Sequence, residues 1–273
     1  VFDYRKWLSS LVSPLRRFHT IAKKEHFMTQ FMTGPRGQKL AFSKSEGTGP
    51  TVVFLGGFMS DMTGSKAVFL EDWAKARGYA FLRFDYAAHG QSEGEFTEHS
   101  VAEWAEDAAA VIAAQTSGDL ILIGSSMGGW ISLNLGREMG NRLRGLILIA
   151  AAPDFTEDSM LSSFTEAQKR DIAENGVTYI PSVYGDPYPI SLHLLTDSRR
   201  AFVMRDPLVF RCPVHMLQGT LDNAVSRDTA LRLLDHIEAD DLHLTLTKGA
   251  DHSYSTQPCL DVIQQKLERI LES

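Results

Sequence analysis

The stretch Leu120-Ile121-Leu122-Ile123-Gly124-Ser125-Ser126-Met127-Gly128-Gly129-Trp130 decides how this chain is read. Its apolar start predicts a short strand with no polar face, and Met127 to Met139 predicts a helix directly behind it. Ser126 stands at the corner, inside the pattern Gly-x-Ser-x-Gly. Reversing from strand into helix within so few residues presses backbone segments together, which small residues at Gly124 and Gly128 allow. The corner lifts the serine hydroxyl above the end of the sheet, where the amino end of the helix favours negative charge. The five-residue pattern is loose by itself; its place between a buried strand and a helix makes it specific.

The same alternation extends in both directions. Upstream, Phe27 to Thr33 and Lys39 to Ser43 predict a hairpin, and Thr51-Val52-Val53-Phe54-Leu55 predicts a strand buried on both faces that stops at Gly56-Gly57. Leu70, Trp73 and Ala74 mark a helix ending near Gly78; Tyr79 to Phe84 reads as the next strand, and Val101 to Ile112 as the next helix. Downstream come a strand at Leu146 to Ala151 and another at Val214 to Leu217. A helix stripe at Leu231, Leu234 and Ile237, an alternating strand at Leu242 to Leu246 and a final helix carrying Leu260, Ile263, Leu267 and Ile270 follow. Strand and helix taking turns predict an α/β fold: a mostly parallel central sheet with helices on both faces. The rhythm fails from Pro153 to about Arg211, too long for an ordinary crossover. The expected organisation is a basic arm at 1–27, a core formed by 28–152 and 211–273, and a lid inserted at 153–210.

A serine hydroxyl is a poor nucleophile without a base, and a base needs an orienting acid. His252 follows the strand at Leu242 to Leu246, and Asp222 follows the strand at Val214 to Leu217, so both sit on loops at the same sheet edge as Ser126. Ser126, Asp222 and His252 are the candidate nucleophile, acid and base. Ser125 is a neighbour that cannot share the apex; Asp251 and Asp228 are the rival acids. The negative oxygen of a tetrahedral intermediate needs donors, for which the backbone N–H groups of Met127 and Phe58 are expected, with Gly57 as the alternative to Phe58. His89 is expected to be structural or part of the rim, and Trp130 to pack in the core.

Composition excludes several classes. The 273 residues are 44% apolar with a formal charge of -7, which gives no reason to expect a nucleic-acid partner. Six of the 27 basic residues fall in the first 27 positions, as an arm with interrupted helical spacing. No apolar run is long enough to predict a transmembrane segment. Cys212, Cys259 and the remaining histidines lack metal-ligand spacing, and Gly64-Ser65-Lys66 lacks the spacing of a phosphate loop, so neither a metal nor a cofactor is expected. Phe155, Met160, Leu161, Phe164, Tyr179, Tyr184, Tyr188, Leu192, Leu194 and Phe202 make the lid apolar and aromatic, which predicts a medium or long acyl group.

Three further stretches, Gly57-Phe58-Met59-Ser60-Asp61-Met62-Thr63-Gly64-Ser65-Lys66-Ala67, Arg83-Phe84-Asp85-Tyr86 and Leu217-Gln218-Gly219-Thr220-Leu221-Asp222, join the Ser126 corner, Ile180-Pro181-Ser182 and Ala250-Asp251-His252 in a recognisable set. From about residue 35 onward the chain resembles the α/β-hydrolase family, in the group of palmitoyl-protein thioesterases and acyl-glucuronide esterases. That resemblance implies Ser126 as nucleophile, Asp222 as charge-relay acid and His252 as base. It also implies hydrolysis of small-molecule esters or S-acylated proteins without a cofactor; the alternatives are another activity of the same fold, on small esters or carbon–carbon bonds, and a non-catalytic binding module that kept the fold. Asn223 stands where a second acid resembles the family norm, which leaves room for a different substrate choice. The likeness fits a bacterial relative as well, and the expected setting is the cytoplasm, with the mitochondrion as the alternative the resemblance implies.

Overall fold

The computed structural model describes residues 29–181 and 187–272. The arm at 1–27 and Tyr184 of the lid lie outside them. β1 (Gln30–Thr33) and β2 (Lys39–Ser45) form the leading hairpin, followed by β3 (Thr48–Leu55), α1 (Ser65–Arg77), β4 (Tyr79–Phe84) and α2 (Val101–Gln115). β5 (Leu120–Ser125) runs into α3 (Met127–Met139), and β6 (Leu143–Ile149) leads to the inserted segment. That segment holds α4 (Glu166–Asn175), the hairpin of β7 (Val177–Ile180) and β8 (Tyr188–Ser191), α5 (Leu192–Asp197) and β9 (Leu208–Val209). The chain closes with β10 (Val214–Gly219), α6 (Arg227–His236), β11 (Ile237–Glu238), β12 (Leu242–Thr247) and α7 (Gln257–Leu271).

The main sheet has the order β1-β2-β4-β3-β5-β6-β10-β12. β2 pairs antiparallel with β4, and β4 through β12 run parallel. Strand periodicity explains the continuous apolar runs. Val53, Leu55, Leu122, Leu146 and Leu148 face the core shared with α2, α3 and the lid, while Val52, Phe54, Ile121, Ile123, Ile147 and Ile149 face α1 and α7. Register puts Leu55 beside Gly124, Ser125 beside Ile149 and Ile149 beside Leu217, so four strands end level at one edge. The loops leaving that edge carry the candidate site, as expected outside the carboxyl ends of parallel strands.

The helix ends follow local chemistry. Ser100 and Glu103 form a reciprocal capping box at the start of α2, and Gly78 takes a left-handed conformation to close α1. Two sequence expectations change. In α6 the buried face is Ala230 and Leu233 with Leu234 partly buried against the core, whereas Leu231 is exposed; the helix ends at His236, and Ile237 belongs to β11. The β7–β8 hairpin was not predicted; its prolines and short runs hid the alternation.

The inserted segment is fastened to the core by polar as well as apolar contacts. Trp130 is fully buried and donates its indole N–H to the Ala201 carbonyl at 2.7 Å, while its ring meets Phe155 and Phe202. It is therefore a bolt between core and lid, beyond the simple core packing expected. Asp154, buried and at φ 51°, accepts from the amides of Val203 and Met204 at 2.9 Å each. Those paired donors fold the far end of the insertion back onto the end of β6.

Candidate active site

Ser126 occupies φ 55°, ψ −116°, a conformation that non-glycine residues rarely adopt. Its amide donates to Ile149 O at 2.9 Å and its carbonyl accepts from Gly129 and Ala152, so the corner is held from both sides. A Cβ on Gly124 would lie 2.2 Å from Gly128 O, and one on Gly128 would lie 2.1 Å from Leu55 O. These contacts explain the two glycines: the backbone of the corner packs directly on β3.

The structure brings the three predicted side chains together. The Ser126 hydroxyl lies 3.1 Å from His252 Nε2, and His252 Nδ1 lies 2.9 Å from Asp222 Oδ2. A carboxylate only accepts, so Nδ1–H donates to Asp222 and Nε2 is left to accept from the serine O–H. Burial opposes ionisation of Asp222, but hydrogen bonds from His252 and the amides of Val225 and Ala224 hold its carboxyl below the usual carboxylate range. Gln218 adds a donor to Oδ2 at 2.9 Å.

The rivals are placed elsewhere. Ser125 is buried as the last residue of β5. Asp228 lies in the first turn of α6. Asp251 accepts from Ser253 Oγ at 2.7 Å and the Tyr254 amide at 3.2 Å, shaping the loop that carries His252.

The loop after β3 runs against the nucleophile. A Cβ on Gly57 would lie 3.4 Å from Ser126 Cβ. Next to it the Phe58 ring enters an aromatic cluster with Phe96, Trp104, Phe155 and Tyr188 at centroid distances of 5.0 to 6.0 Å. The loop is then clamped by His89, expected to be structural or part of the rim, and by Arg83 and Asp85, whose contacts with it the sequence did not indicate. His89 Nδ1 meets the Ala87 carbonyl at 3.0 Å, which requires a proton on that nitrogen, and Nε2 accepts from the Met59 amide at 3.3 Å. Burial pushes the His89 imidazole down to about 4, which keeps it neutral and able to accept. Arg83 donates to the Met62 carbonyl at 2.7 Å and Asp85 accepts from the Met62 amide at 2.6 Å. Thus the motif Arg83-Phe84-Asp85-Tyr86 holds the motif that begins at Gly57.

Two cavities meet at Ser126 and His252, with Phe58, Tyr188 and Ser253 in both walls. The larger, about 800 Å³, lies under the lid and is walled by Phe155, Met160, Ile180, Met204, Leu221 and Val225, with Asn223 at its wall. The smaller, about 400 Å³, is lined by Ser60, Asp61, Thr63, Ser65 and Lys66. Among the lid residues singled out in the sequence, Phe155, Met160 and Tyr188 reach the cavity, Phe164 and Leu194 are buried elsewhere, and Leu161, Tyr179 and Leu192 face solvent.

Glu103, His193 and Asp197 bring ligand-type atoms within 4.8 Å of one another at the contact between α2 and α5. Their carboxylates are already engaged: Glu103 caps α2, and Arg200 binds Asp197 through two nitrogens at 2.7 and 2.8 Å. The arrangement serves as an ionic fastening of α5 to α2.

Comparison with known proteins shows the family. Residues 48–199 match the family described as serine aminopeptidase, S33. The rat mitochondrial palmitoyl-protein thioesterase ABHD10 is 33% identical over 81% of this chain and 75% of its own, and the mouse protein 30% identical over 88% and 81%. Among solved structures, an Agrobacterium vitis protein described as a hydrolase superposes with a TM-score of 0.85 at 36% identity, covering 89% of this chain and 98% of the other. Mouse alpha/beta hydrolase domain-containing protein 10 gives 0.81 at 27% identity over 90% and 98%. The expected cytoplasmic setting is overturned here, because the matching ABHD10 proteins of cattle, rat, orangutan, human and mouse are named as mitochondrial. The chain is a serine hydrolase of the α/β-hydrolase fold and belongs to the serine aminopeptidase S33 family, in the group that contains the ABHD10 thioesterases.

Proposed function

We propose that this enzyme hydrolyses acyl thioesters or esters with a medium or long acyl chain, through an acyl-enzyme on Ser126. The observation that carries the reading is the relay from Ser126 through His252 to Asp222, at 3.1 and 2.9 Å, opening onto a cavity of about 800 Å³ whose wall is mostly apolar, with Asp158 and Arg232 also lining it. His252 takes the serine proton as Oγ bonds to the acyl carbon. The N–H groups of Met127 and Phe58 receive the negative oxygen: Met127 is the first residue of α3, where helix geometry supplies no acceptor, and Phe58 is fixed beside Ser126 by its ring cluster. When the carbon–sulfur or carbon–oxygen bond breaks, the imidazolium returns its proton to the leaving group. Water, deprotonated by the same imidazole, then releases the acid and regenerates Ser126.

The lid, residues 153–210, supplies the wall for the acyl chain, and the core at 28–152 and 211–273 supplies the chemistry. Each methylene buried against that wall contributes about 0.8 kcal/mol. The relatives named as palmitoyl-protein thioesterases support a fatty thioester, and an S-acylated protein is the proposed partner. The test is a panel of p-nitrophenyl esters and S-acyl peptides of increasing chain length, with Ser126→Ala as control. Rising kcat/KM with chain length supports the reading; a preference for acetate refutes it.

A further inference from the structure

The stretch Ser60-Asp61-Met62-Thr63-Gly64-Ser65-Lys66-Ala67 has no part in the relay, yet Arg83 and Asp85 clamp it at Met62. What the clamp presents is Lys66. This lysine is the second residue of α1, at the end of a helix where the backbone already carries partial positive charge. Its ammonium is drawn out of water against the wall of the polar cavity. Nζ donates to the carbonyl of Ser253 and lies 3.5 Å from Ser255 Oγ, so neither partner is a carboxylate. Burial and the helix dipole both disfavour a cation here, which makes a mere surface role uneconomical.

The partner explains the placement. Ser253 directly follows His252, whose side chain is 29% exposed and so is not fixed by packing alone. On the other side of His252, the Leu221 amide donates to Ala250 O at 2.9 Å and the Gly249 amide to Thr220 Oγ1 at 2.8 Å. Those bonds tie the loop to the end of β10. Lys66 ties it to α1 from the opposite side.

We propose that Lys66 is a positioning residue for the catalytic base: its ammonium tethers the Ser253 carbonyl and thereby fixes the His252 ring in line with Ser126. The proposal rests on the Ser126–His252–Asp222 reading. It gives the Ser60–Ala67 motif a mechanical task, with Arg83 and Asp85 setting the loop, α1 delivering the cation and the cation setting the base. The tether is strongest while the amine is protonated, because a neutral amine is a weaker donor to a carbonyl. Burial pushes the Lys66 ammonium down to about 8, partly offset by Asp251 on the same loop and Cys259 on α7, while Asp61 and His252 line the same cavity. The charged form is complete below that value and is lost as pH rises through it.

The experiment compares wild type, Lys66→Met, Lys66→Arg and Ser126→Ala by p-nitrophenyl butyrate hydrolysis, fluorophosphonate labelling rate and thermal unfolding. Lys66→Met should lower kcat about 10- to 100-fold through misplacement of the base, with KM within about twofold. Its labelling rate should fall by a similar factor. A kcat within about twofold of wild type, or a KM rise that carries the loss, overturns the proposal. Lys66→Arg keeps a permanent cation, so it should retain kcat within about threefold and move the alkaline limb of the pH profile upward. An alkaline limb absent from wild type, or unmoved in Lys66→Arg, overturns the proposal even if the methionine variant fails to fold. Loss of the underlying triad reading would show separately, as hydrolysis retained by Ser126→Ala.

Discussion

Asp222→Asn changes one atom and should trap the base in the wrong tautomer. Asp222 is surrounded by donors: Oδ1 accepts from the amides of Ala224 and Val225 at 2.9 and 2.8 Å, and Oδ2 accepts from His252 Nδ1 and Gln218 Nε2 at 2.9 Å each. An asparagine has one oxygen for these two sides. Turned toward His252, its NH2 would oppose two backbone N–H groups. Turned toward those amides, it faces its NH2 to Gln218, which keeps a second acceptor in Val225 O at 3.0 Å, and to His252. The second orientation leaves fewer donors unpaired and is the one adopted. His252 Nδ1 must then accept, its proton moves to Nε2, and the Ser126 hydroxyl loses its proton acceptor. The same swap in a serine-protease triad costs about 10,000-fold in kcat, or about 5.4 kcal/mol at 1.36 kcal/mol per decade. Stability should fall by about 1–3 kcal/mol from the crowded donors at buried Gln218. Steady-state hydrolysis of a p-nitrophenyl ester, with urea unfolding of the same preparation, reads both. Folded Asp222→Asn protein with less than about tenfold loss in kcat would refute the tautomer argument. Asp251→Asn is the internal contrast: an amide oxygen can still accept from Ser253 and Tyr254, so kcat should stay within about threefold.

Packing and charge set the outcome of four further substitutions. Gly128→Ala puts a methyl 2.1 Å from Leu55 O and should destabilise the protein by about 3 kcal/mol or more in urea unfolding, whereas Gly57→Ala meets nothing closer than 3.4 Å and should fold normally while impairing catalysis. Arg83→Met removes the guanidinium that bonds buried Glu71 at 2.6 Å, leaving it Ser45 Oγ at 2.6 Å and Lys75 Nζ at 3.3 Å, and should cost about 3 kcal/mol by thermal unfolding. Burial opposes ionisation of Glu71, but Ser45 and Arg83 hold its carboxyl below the usual range, so the wild-type contribution is complete above the ordinary carboxylate value and is lost as pH falls through the lowered one. His89→Phe removes the acceptor for the Met59 amide beside the proposed oxyanion donor Phe58; kcat should fall about tenfold with KM little changed, a part of the loss expected when an oxyanion donor is deleted outright.

The sheet and its functional edge were legible because their causes are local. Continuous apolar runs in β3, β5 and β6 mark strands buried on both faces, and Gly124 and Gly128 mark the close approach at Ser126. The order of Ser126, Asp222 and His252 on loops after strands was enough to pick out side chains that the structure brings within hydrogen-bonding reach. The contacts that hold the loop after β3 and the loop of His252 were not legible, because the partners are distant in sequence and often backbone atoms: Arg83 and Asp85 on Met62 and His89 on Met59 for the first, Lys66 on Ser253 for the second. Lys66 did leave a trace, as a lysine in the first turn of a helix that lacks an acid there. The lid was legible as a break in rhythm only. Its path depends on Trp130 and Asp154, single contacts that no periodicity records.

The central claim is that Ser126 is the nucleophile and that His252 activates it. The direct measurement is reaction of the full chain with a fluorophosphonate, followed by peptide mapping of the adduct by mass spectrometry. The account predicts one adduct on the peptide carrying Ser126, abolished in Ser126→Ala and much slower in His252→Ala. An adduct on another residue, or none on the folded wild-type protein, would contradict it.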